Sequence, residues 1–353
     1  MPTLFDPVRI GAWNLPNRII MAPLTRSRAG VERVPNALMA EYYAQRASAG
    51  LIISEATSVT PMGVGYADTP GIWSTEQVEG WKLVTQAAHK AGGRILLQLW
   101  HVGRISHPMF LNGALPVAPS AIAPAGHVSI VRPLTAFVTP RALELSEIPG
   151  VIEAYRKGAE NAKLAGFDGV EIHGANGYLL DQFLQDKTNH RTDAYGGSIE
   201  NRARLMLEVA DAVISVWGAD HVGMHLAPRG DAHDMGDSNP LATFGYLARE
   251  LGKRQLAFIC ARESLGDKRI GPQLKLAFGG SYIANEKFTL ATANQVLAAG
   301  EADAVAFGVP FIANPDLPER FRLNAPLNAP DQSTFYVPGS KGYVDYPFLR
   351  QAA

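Results

Sequence analysis

The run His173-Gly-Ala-Asn176-Gly-Tyr178 holds the densest group of reactive side chains in this sequence. His173 and Asn176 stand three residues apart, so a single turn can aim both at one substrate atom. Paired neutral donors of that kind polarise a carbonyl or nitro oxygen and stabilise the charge that develops on it. Tyr178 then offers a proton, because a phenol is a weak acid that keeps its proton at neutral pH. The structural alternative is that His173 and Asn176 satisfy buried backbone while Tyr178 packs beneath a loop. Gly279-Gly280-Ser281, read as a strand-to-helix turn, would expose backbone N–H groups to a phosphate. An ordinary turn is the alternative there. Asp231-Ala-His233-Asp234-Met-Gly-Asp237 contains metal-ligand residue types, but no nearby strand end adds further ligands. It reads as a solvated acidic loop, and no metal is expected. Neither a His-Glu-x-x-His helix nor a Gly-x-Ser-x-Gly elbow occurs. His101 and His107 read as surface or packing residues.

These residues need elements to hold them. Eight short apolar runs recur: Arg18 to Pro23, Leu51 to Ala56, Arg94 to Trp100, Gly169 to His173, His221 to Leu226, Gln255 to Cys260, Leu274 to Phe278 and Ala302 to Phe307. Helical patterns separate most of them: Ala37 to Ala49, Glu76 to Ala91, Ile148 to Ala165 with Ser146 as N-cap, Ile199 to Trp217, and Glu286 to Ala299. The link from Cys260 to Leu274 is too rich in Gly and Pro for a long helix. Strand–helix alternation with near-continuous apolar strands implies a parallel sheet buried on both faces. Eight repeats favour an α/β (β/α)8 TIM barrel over a doubly wound sheet, and no glycine fingerprint follows an early strand. Residues 6–17 read as an N-terminal hairpin on the barrel floor. Residues 103–145 read as a proline-punctuated lid inserted after strand three, on the face where barrels hold their sites. One domain over residues 1–353 is expected.

The strand ends should converge on that face. They carry amides, hydroxyls and imidazoles with few carboxylates, which suits a polar heterocycle better than hydrolysis. Of 353 residues, 47% are hydrophobic and 18% charged, enough apolar material for a large core. Lys plus Arg number 32 and Asp plus Glu 33, leaving a net charge of −1 and no basic field for nucleic acid. The single Cys260 excludes a disulfide framework and Cys-rich metal or iron–sulfur sites. No secretory leader or membrane span is read from the chain, and a cytoplasmic enzyme is expected.

Six stretches together resemble the Old Yellow Enzyme family of FMN-dependent ene-reductases, over nearly the whole length. They are Leu4-Phe-Asp-Pro, Asn17-Arg-Ile-Ile-Met-Ala-Pro-Leu-Thr-Arg-Ser-Arg, Gln98-Leu-Trp-His-Val-Gly-Arg, Gly169 to Leu184, Tyr195-Gly-Gly-Ser-Ile-Glu-Asn-Arg and Phe311-Ile-Ala-Asn-Pro-Asp-Leu. Thr25 and the C-terminal Phe335-Tyr336 resemble the classical branch. The resemblance implies non-covalent FMN at the barrel mouth, reduced by NADPH or NADH. It implies Pro23, Leu24, Thr25, Ala56 and Gln98 along the flavin ring, and His173 with Asn176 on the activating group of an alkene. Hydride from the flavin goes to the β-carbon, and Tyr178 protonates the α-carbon. Tyr66, Trp100 and Tyr336 would shape the substrate pocket.

Two positions depart from the family pattern. His225 stands where an arginine usually sits beside the flavin, and Val309 follows Gly308 where an arginine usually grips the phosphate. Phosphate binding is then expected to rest on backbone N–H groups at Gly280, Ser281 and Gly308, or on a cation that the sequence does not place. Substrates can be enones, nitroalkenes, nitrate esters, nitroaromatics or quinones. The competing reading is a barrel that binds flavin weakly and does no redox chemistry. No nucleic acid or membrane partner is expected.

Overall fold

The computed structural model describes residues 1–230 and 232–349. An antiparallel hairpin of β1 (Val8–Ile10) and β2 (Trp13–Leu15) leads into β3 (Ile19–Met21). Then come α1 (Ala37–Gln45), β4 (Leu51–Ser58), α2 (Thr75–Lys90) and β5 (Ile95–Trp100). The excursion after β5 carries β6 (Val117–Ala118) and β7 (Arg141–Ala142) before α3 (Ile148–Leu164) and β8 (Gly169–Gly174). They are followed by α4 (Leu179–Leu184), α5 (Ile199–Trp217), β9 (Val222–Leu226), α6 (Pro240–Lys253) and β10 (Phe258–Arg262). The chain continues through α7 (Gly271–Phe278), β11 (Ser281–Asn285), α8 (Leu290–Ala298), β12 (Ala304–Phe307), α9 (Val309–Ala313) and α10 (Leu317–Arg322). Eight strands, β3, β4, β5, β8, β9, β10, β11 and β12, close a parallel barrel, as the alternation predicts.

Every residue of β4, β5, β8 and β9 is buried, because one face meets the barrel interior and the other the surrounding helices. The interior holds Ile20, Leu51, Ile53, Leu96, Phe258, Cys260 and Ile283, continuous with Ile10, Trp13 and Leu15 of the hairpin. The hairpin therefore plugs the N-terminal end of the barrel. Its turn at Gly11 has φ +53°, and a Cβ there would collide with the Asp220 carbonyl. Helix α2 starts with a reciprocal Ser74–Gln77 capping box, and α5 starts where the Ser198 hydroxyl accepts from Asn201 N–H. On α5, Ala203, Met206, Ala210 and Val213 recur at helical spacing and are buried.

The seventh strand lies one element later than expected. Leu274–Phe278 belongs to helix α7, and the strand is Ser281–Asn285. Leu274 and Phe278 are buried at i, i+4 while Leu276 is 83% exposed, a helical rather than alternating pattern. Pro272 sits in the first turn, where a missing N–H costs nothing, instead of breaking the helix. Gly279, at φ +70°, is the left-handed cap that ends it. Helix α8 accordingly begins at Leu290, capped by Thr289, not at Glu286. Helix α3 is entered through a 3-10 turn at Leu145–Glu147, and Ser146 is not its N-cap.

The excursion from Gly103 is fastened at its root. Arg104 donates to the carbonyls of Ile122 (3.1 Å) and His233 (2.9 Å), and Arg191 to those of Pro119 (3.1 Å) and Leu143 (2.6 Å). Further out, Ile130 and Leu134 are exposed. The chain after α10 returns across the C-terminal strand ends. There Arg26 donates to Phe335 O and Gly342 O, Arg28 to Thr334 O and Phe335 O, and Tyr343 stacks on Tyr42 at 4.1 Å. No helix among the described residues is long and apolar enough to cross a membrane.

Candidate active site

A cavity of about 460 Å3 opens at the C-terminal ends of the barrel strands, within the size range of ligand pockets. It gathers most of the residues singled out in the sequence. Pro23, Leu24 and Thr25 follow β3, Ala56 lies on β4, Gln98 and Trp100 on β5, and His225 on β9. His173 comes from β8, with Asn176 and Tyr178 on the turn beyond it. Gly308 and Val309 follow β12, and Tyr336 reaches in from the returning C-terminal segment.

The β8 turn is built for display. Asn176 adopts φ +59°, a left-handed conformation that asparagine tolerates, and Gly177 follows at φ +77°. Asp181 accepts from Gly177 N–H at 2.9 Å, and Gln182 Nε2 donates to Gly177 O at 2.7 Å, so the first turn of α4 holds the loop in shape. Burial pushes the Asp181 carboxyl up to about 7. His173 Nδ1 accepts from Ala175 N–H at 3.3 Å, which leaves the ring proton on Nε2. Burial, with His225, Arg262 and His233 nearby, holds the imidazole well below its usual range and therefore neutral. Asn176 Oδ1 accepts from Arg262 Nη1 at 3.0 Å, which leaves the amide NH2 as the group to offer a ligand.

Tyr178 stands edge-on to Trp100 and to His173, both at 5.0 Å between ring centroids. Its hydroxyl lies 2.9 Å from that of Tyr66, which in turn approaches His233 Nε2 at 3.5 Å. Burial first, then Tyr66, pushes the Tyr178 phenol well above its usual value, and burial lifts Tyr66 to about 12. Both keep their protons. His233 Nδ1 donates to Asn176 O at 2.7 Å, and burial lowers its pKa. Below this layer Gln98 Nε2 donates to Glu171 at 2.7 Å, and His225 Nδ1 faces the other carboxylate oxygen at 3.3 Å.

Three sequence expectations change. Gly279, Gly280 and Ser281 lie between α7 and the start of β11, at the opposite end of the barrel from the cavity. They do not line it, because the strand they were expected to follow is a helix. The segment that occupies the corresponding position is Asn285-Glu286-Lys287-Phe288, which does line the cavity. Tyr66 is not a wall residue but stands behind Tyr178, stacked on Trp100 at 5.4 Å. In the acidic loop, Asp231 lies outside the described residues. His233 turns to Asn176, Asp234 pairs with Lys187 at 2.7 Å, and Asp237 accepts from Thr243 Oγ1 at 2.9 Å. His101 is buried, as a packing role predicts, and its Nδ1 accepts from Gly103 N–H.

Arg262 is a lining residue the sequence reading passed over; it joins Asn176 to Glu286, the latter at 2.6 Å. Had β11 been set at Ser281–Asn285, Glu286 and Lys287 would have followed as strand-end residues.

Residues 3–328 match the sequence model of the NADH:flavin oxidoreductase / NADH oxidase family. Among solved structures, the chain is similar to morphinone reductase in complex with tetrahydroNAD, at 52% identity and a TM-score of 0.96, covering 99% of this chain and 98% of that one. It is similar also to the old yellow enzyme homologue from Zymomonas mobilis, at 47% identity and a TM-score of 0.96, covering 99% and 100% of the two chains. Among curated sequences, 12-oxophytodienoate reductase 1 of Oryza sativa subsp. japonica is 44% identical over 362 residues, covering 99% of this chain and 93% of the relative.

Proposed function

The chain belongs to the NADH:flavin oxidoreductase / NADH oxidase family, the Old Yellow Enzymes, and is a flavin-dependent oxidoreductase with FMN as cofactor and a nicotinamide nucleotide as reductant; from that premise we propose that it reduces alkenes activated by a carbonyl or nitro group. The observation that carries this reading is the fixed donor pair. His173 and Asn176 each have their acceptor atom engaged by the protein, so both turn a donor to the cavity beside a protonated phenol.

The residues present fit FMN at its ring end. The Gln98 amide, the Thr25 hydroxyl and the apolar faces of Pro23, Leu24 and Ala56 offer hydrogen bonds and a flat wall for a polar heterocycle. At the phosphate end Val309 has no donor in its side chain. Arg262 pairs with Glu286 at 2.6 Å and Lys287 stands 3.9 Å from the same carboxylate; Lys287, the more loosely held and more exposed of the two lining cations, is the one to meet a phosphate, together with backbone near Gly308. When bound, FMN supplies the hydride, taken from the nicotinamide nucleotide and delivered to the alkene β-carbon.

His173 and Asn176 hold the activating oxygen and stabilise the negative charge that grows on it. Because the imidazole is neutral and its tautomer is set by Ala175 N–H, it donates from Nε2 without itself changing charge. Tyr178 gives its proton to the α-carbon, from a hydroxyl held in place 2.9 Å from that of Tyr66. Trp100 and Tyr336 confine the substrate, Tyr336 from the C-terminal segment that crosses the barrel mouth.

The test is direct. Purified protein should carry or take up FMN, show flavin absorbance, and consume NADPH or NADH with a cyclic enone or nitroalkene while forming the saturated product. Flavin-replete protein that oxidises the nicotinamide with quinones but leaves every activated alkene untouched would overturn the substrate class. Colourless protein that FMN cannot reconstitute would favour the weakly binding barrel.

A further inference from the structure

We propose that Glu171, His225 and Cys260 form a site for one zinc-type divalent cation in the floor of the cavity. The three residues come from adjacent parallel strands β8, β9 and β10, with Cys260 in register with His225 and Glu171 in register with Gly223. One carboxylate, one imidazole and one thiol are thereby turned into the same point of the barrel interior. Their ligand atoms lie within 4.8 Å of one another, and all three residues are buried. A tetrahedral zinc site with bonds of about 2.0–2.3 Å has ligand–ligand edges of roughly 3.3–3.7 Å. The Glu171–His225 edge, 3.3 Å, already has that length. Closing the site requires that the Cys260 thiol draw in and ionise, and that His225 carry its proton on Nε2 rather than on the Nδ1 that faces Glu171.

Two further observations point to a cation. Glu171 is a fully buried carboxylate whose hydrogen-bond partners among the described residues are an amide, Gln98, and an imidazole, His225. No guanidinium or ammonium meets it, and a buried carboxylate is costly unless a positive charge or a metal accompanies it. A divalent ion bound by the carboxylate and a Cys260 thiolate would leave the cluster electrically neutral. Gln98 is placed to orient the ligating carboxylate from behind, as outer partners do in metal sites. A sulfur, nitrogen and oxygen donor set suits zinc or cobalt and disfavours magnesium or calcium. Three protein ligands leave a fourth position open, and His225, a lining residue, sets the site directly beneath the cavity. The ligand for that position is water or an oxygen donor of whatever molecule occupies the cavity floor.

The protein, with its flavin, is equilibrated with zinc at micromolar concentration, dialysed, and analysed for metal content and for zinc K-edge X-ray absorption. One zinc per chain with one sulfur and two or three light-atom ligands is the expected result. Cys260→Ser should reduce zinc affinity by about tenfold or more, since a ligand itself is lost and even an outer partner has that effect at a metal site, while circular dichroism shows the same fold. A sulfur-free shell, such as the exposed His89–Asp168 pair would give, or binding that Cys260→Ser leaves unchanged, overturns the proposal. So does a folded wild-type protein that retains no zinc. The absorption spectrum of wild-type protein decides the question even if the variant fails to fold.

Discussion

At the scale of single residues, Tyr178 separates two half-reactions that share one cavity. Oxidation of the nicotinamide nucleotide transfers hydride alone, and a phenol proton has no part in it. Alkene reduction needs a proton at the α-carbon as well. Tyr178→Phe preserves the ring contacts with Trp100 and His173 and removes the hydroxyl. Flavin reduction should survive nearly intact, while alkene reduction falls by about 10²–10⁴-fold, the usual effect of losing a general acid. Stopped-flow measurement of each half-reaction checks this, and equal losses in both would mean that Tyr178 only positions the nicotinamide. Much of this site was legible because its donors are crowded into one turn after one strand. Arg262 was not, because nothing in its own neighbourhood announces that it reaches Asn176, which lies 86 residues away in the chain.

At the scale of elements, α7 and β11 show where reading a sequence has a physical limit. An apolar run as short as Leu274–Phe278 suits a strand or a helix, and only its neighbours decide. Because the run is helical, the turn at Gly279 and Gly280 precedes a strand and lies at the far end of the barrel from the cavity. Two variants register the difference. Lys287→Ala should weaken FMN binding by roughly tenfold or more, since a charged hydrogen bond contributes about 1.5–3 kcal/mol. Gly280→Ala, which brings a Cβ to 2.7 Å from the Phe278 ring, should lower stability yet leave the flavin content of folded protein unchanged. Fluorescence titration with FMN compares the two, and loss of flavin from the Gly280 variant alone would return the phosphate to that turn. The stretch after β5 carries a pH signature. Burial lowers the His101 pKa to about 4, whereas in the unfolded chain it titrates near the ordinary value of 6.5. Its stabilising contribution is present above pH 6.5 and is lost as pH falls towards 4, up to about 3 kcal/mol. Glu55 and Asp181, both raised to about 7 by burial, act in the opposite direction over much of that range. They are common to wild type and variant, so the difference between the two reports on His101. Urea unfolding at pH 7 and pH 4.5 should therefore show a smaller drop for His101→Gln than for wild type. Parallel drops would mean that the imidazole titrates normally in the fold.

At the scale of the whole molecule, the barrel closed as the eightfold alternation predicts, since all the strands but β11 lie in the near-continuous apolar runs that burial on both faces demands. What the sequence could not convey is how the last residues return over the barrel mouth. That path is set by arginine-to-carbonyl bonds from Arg26 and Arg28 and by one stacked pair of tyrosines, contacts with no local pattern. Tyr343→Ala should free this strap. Hydrogen exchange at residues 334–344 should accelerate while barrel strands stay protected, and KM for the alkene should rise as Tyr336 loses its fixed place. Unaltered exchange there would show that the arginines alone suffice. The excursion after β5 has the opposite character: bonded tightly where it leaves and rejoins the barrel, with exposed side chains such as Ile130 and Leu134 further out. Insertions, deletions and substitutions in that outer part can accumulate without disturbing the donors on the β8 turn. Selection can thus reshape this outer surface over a lineage's history while the chemistry beneath stays inherited and unaltered.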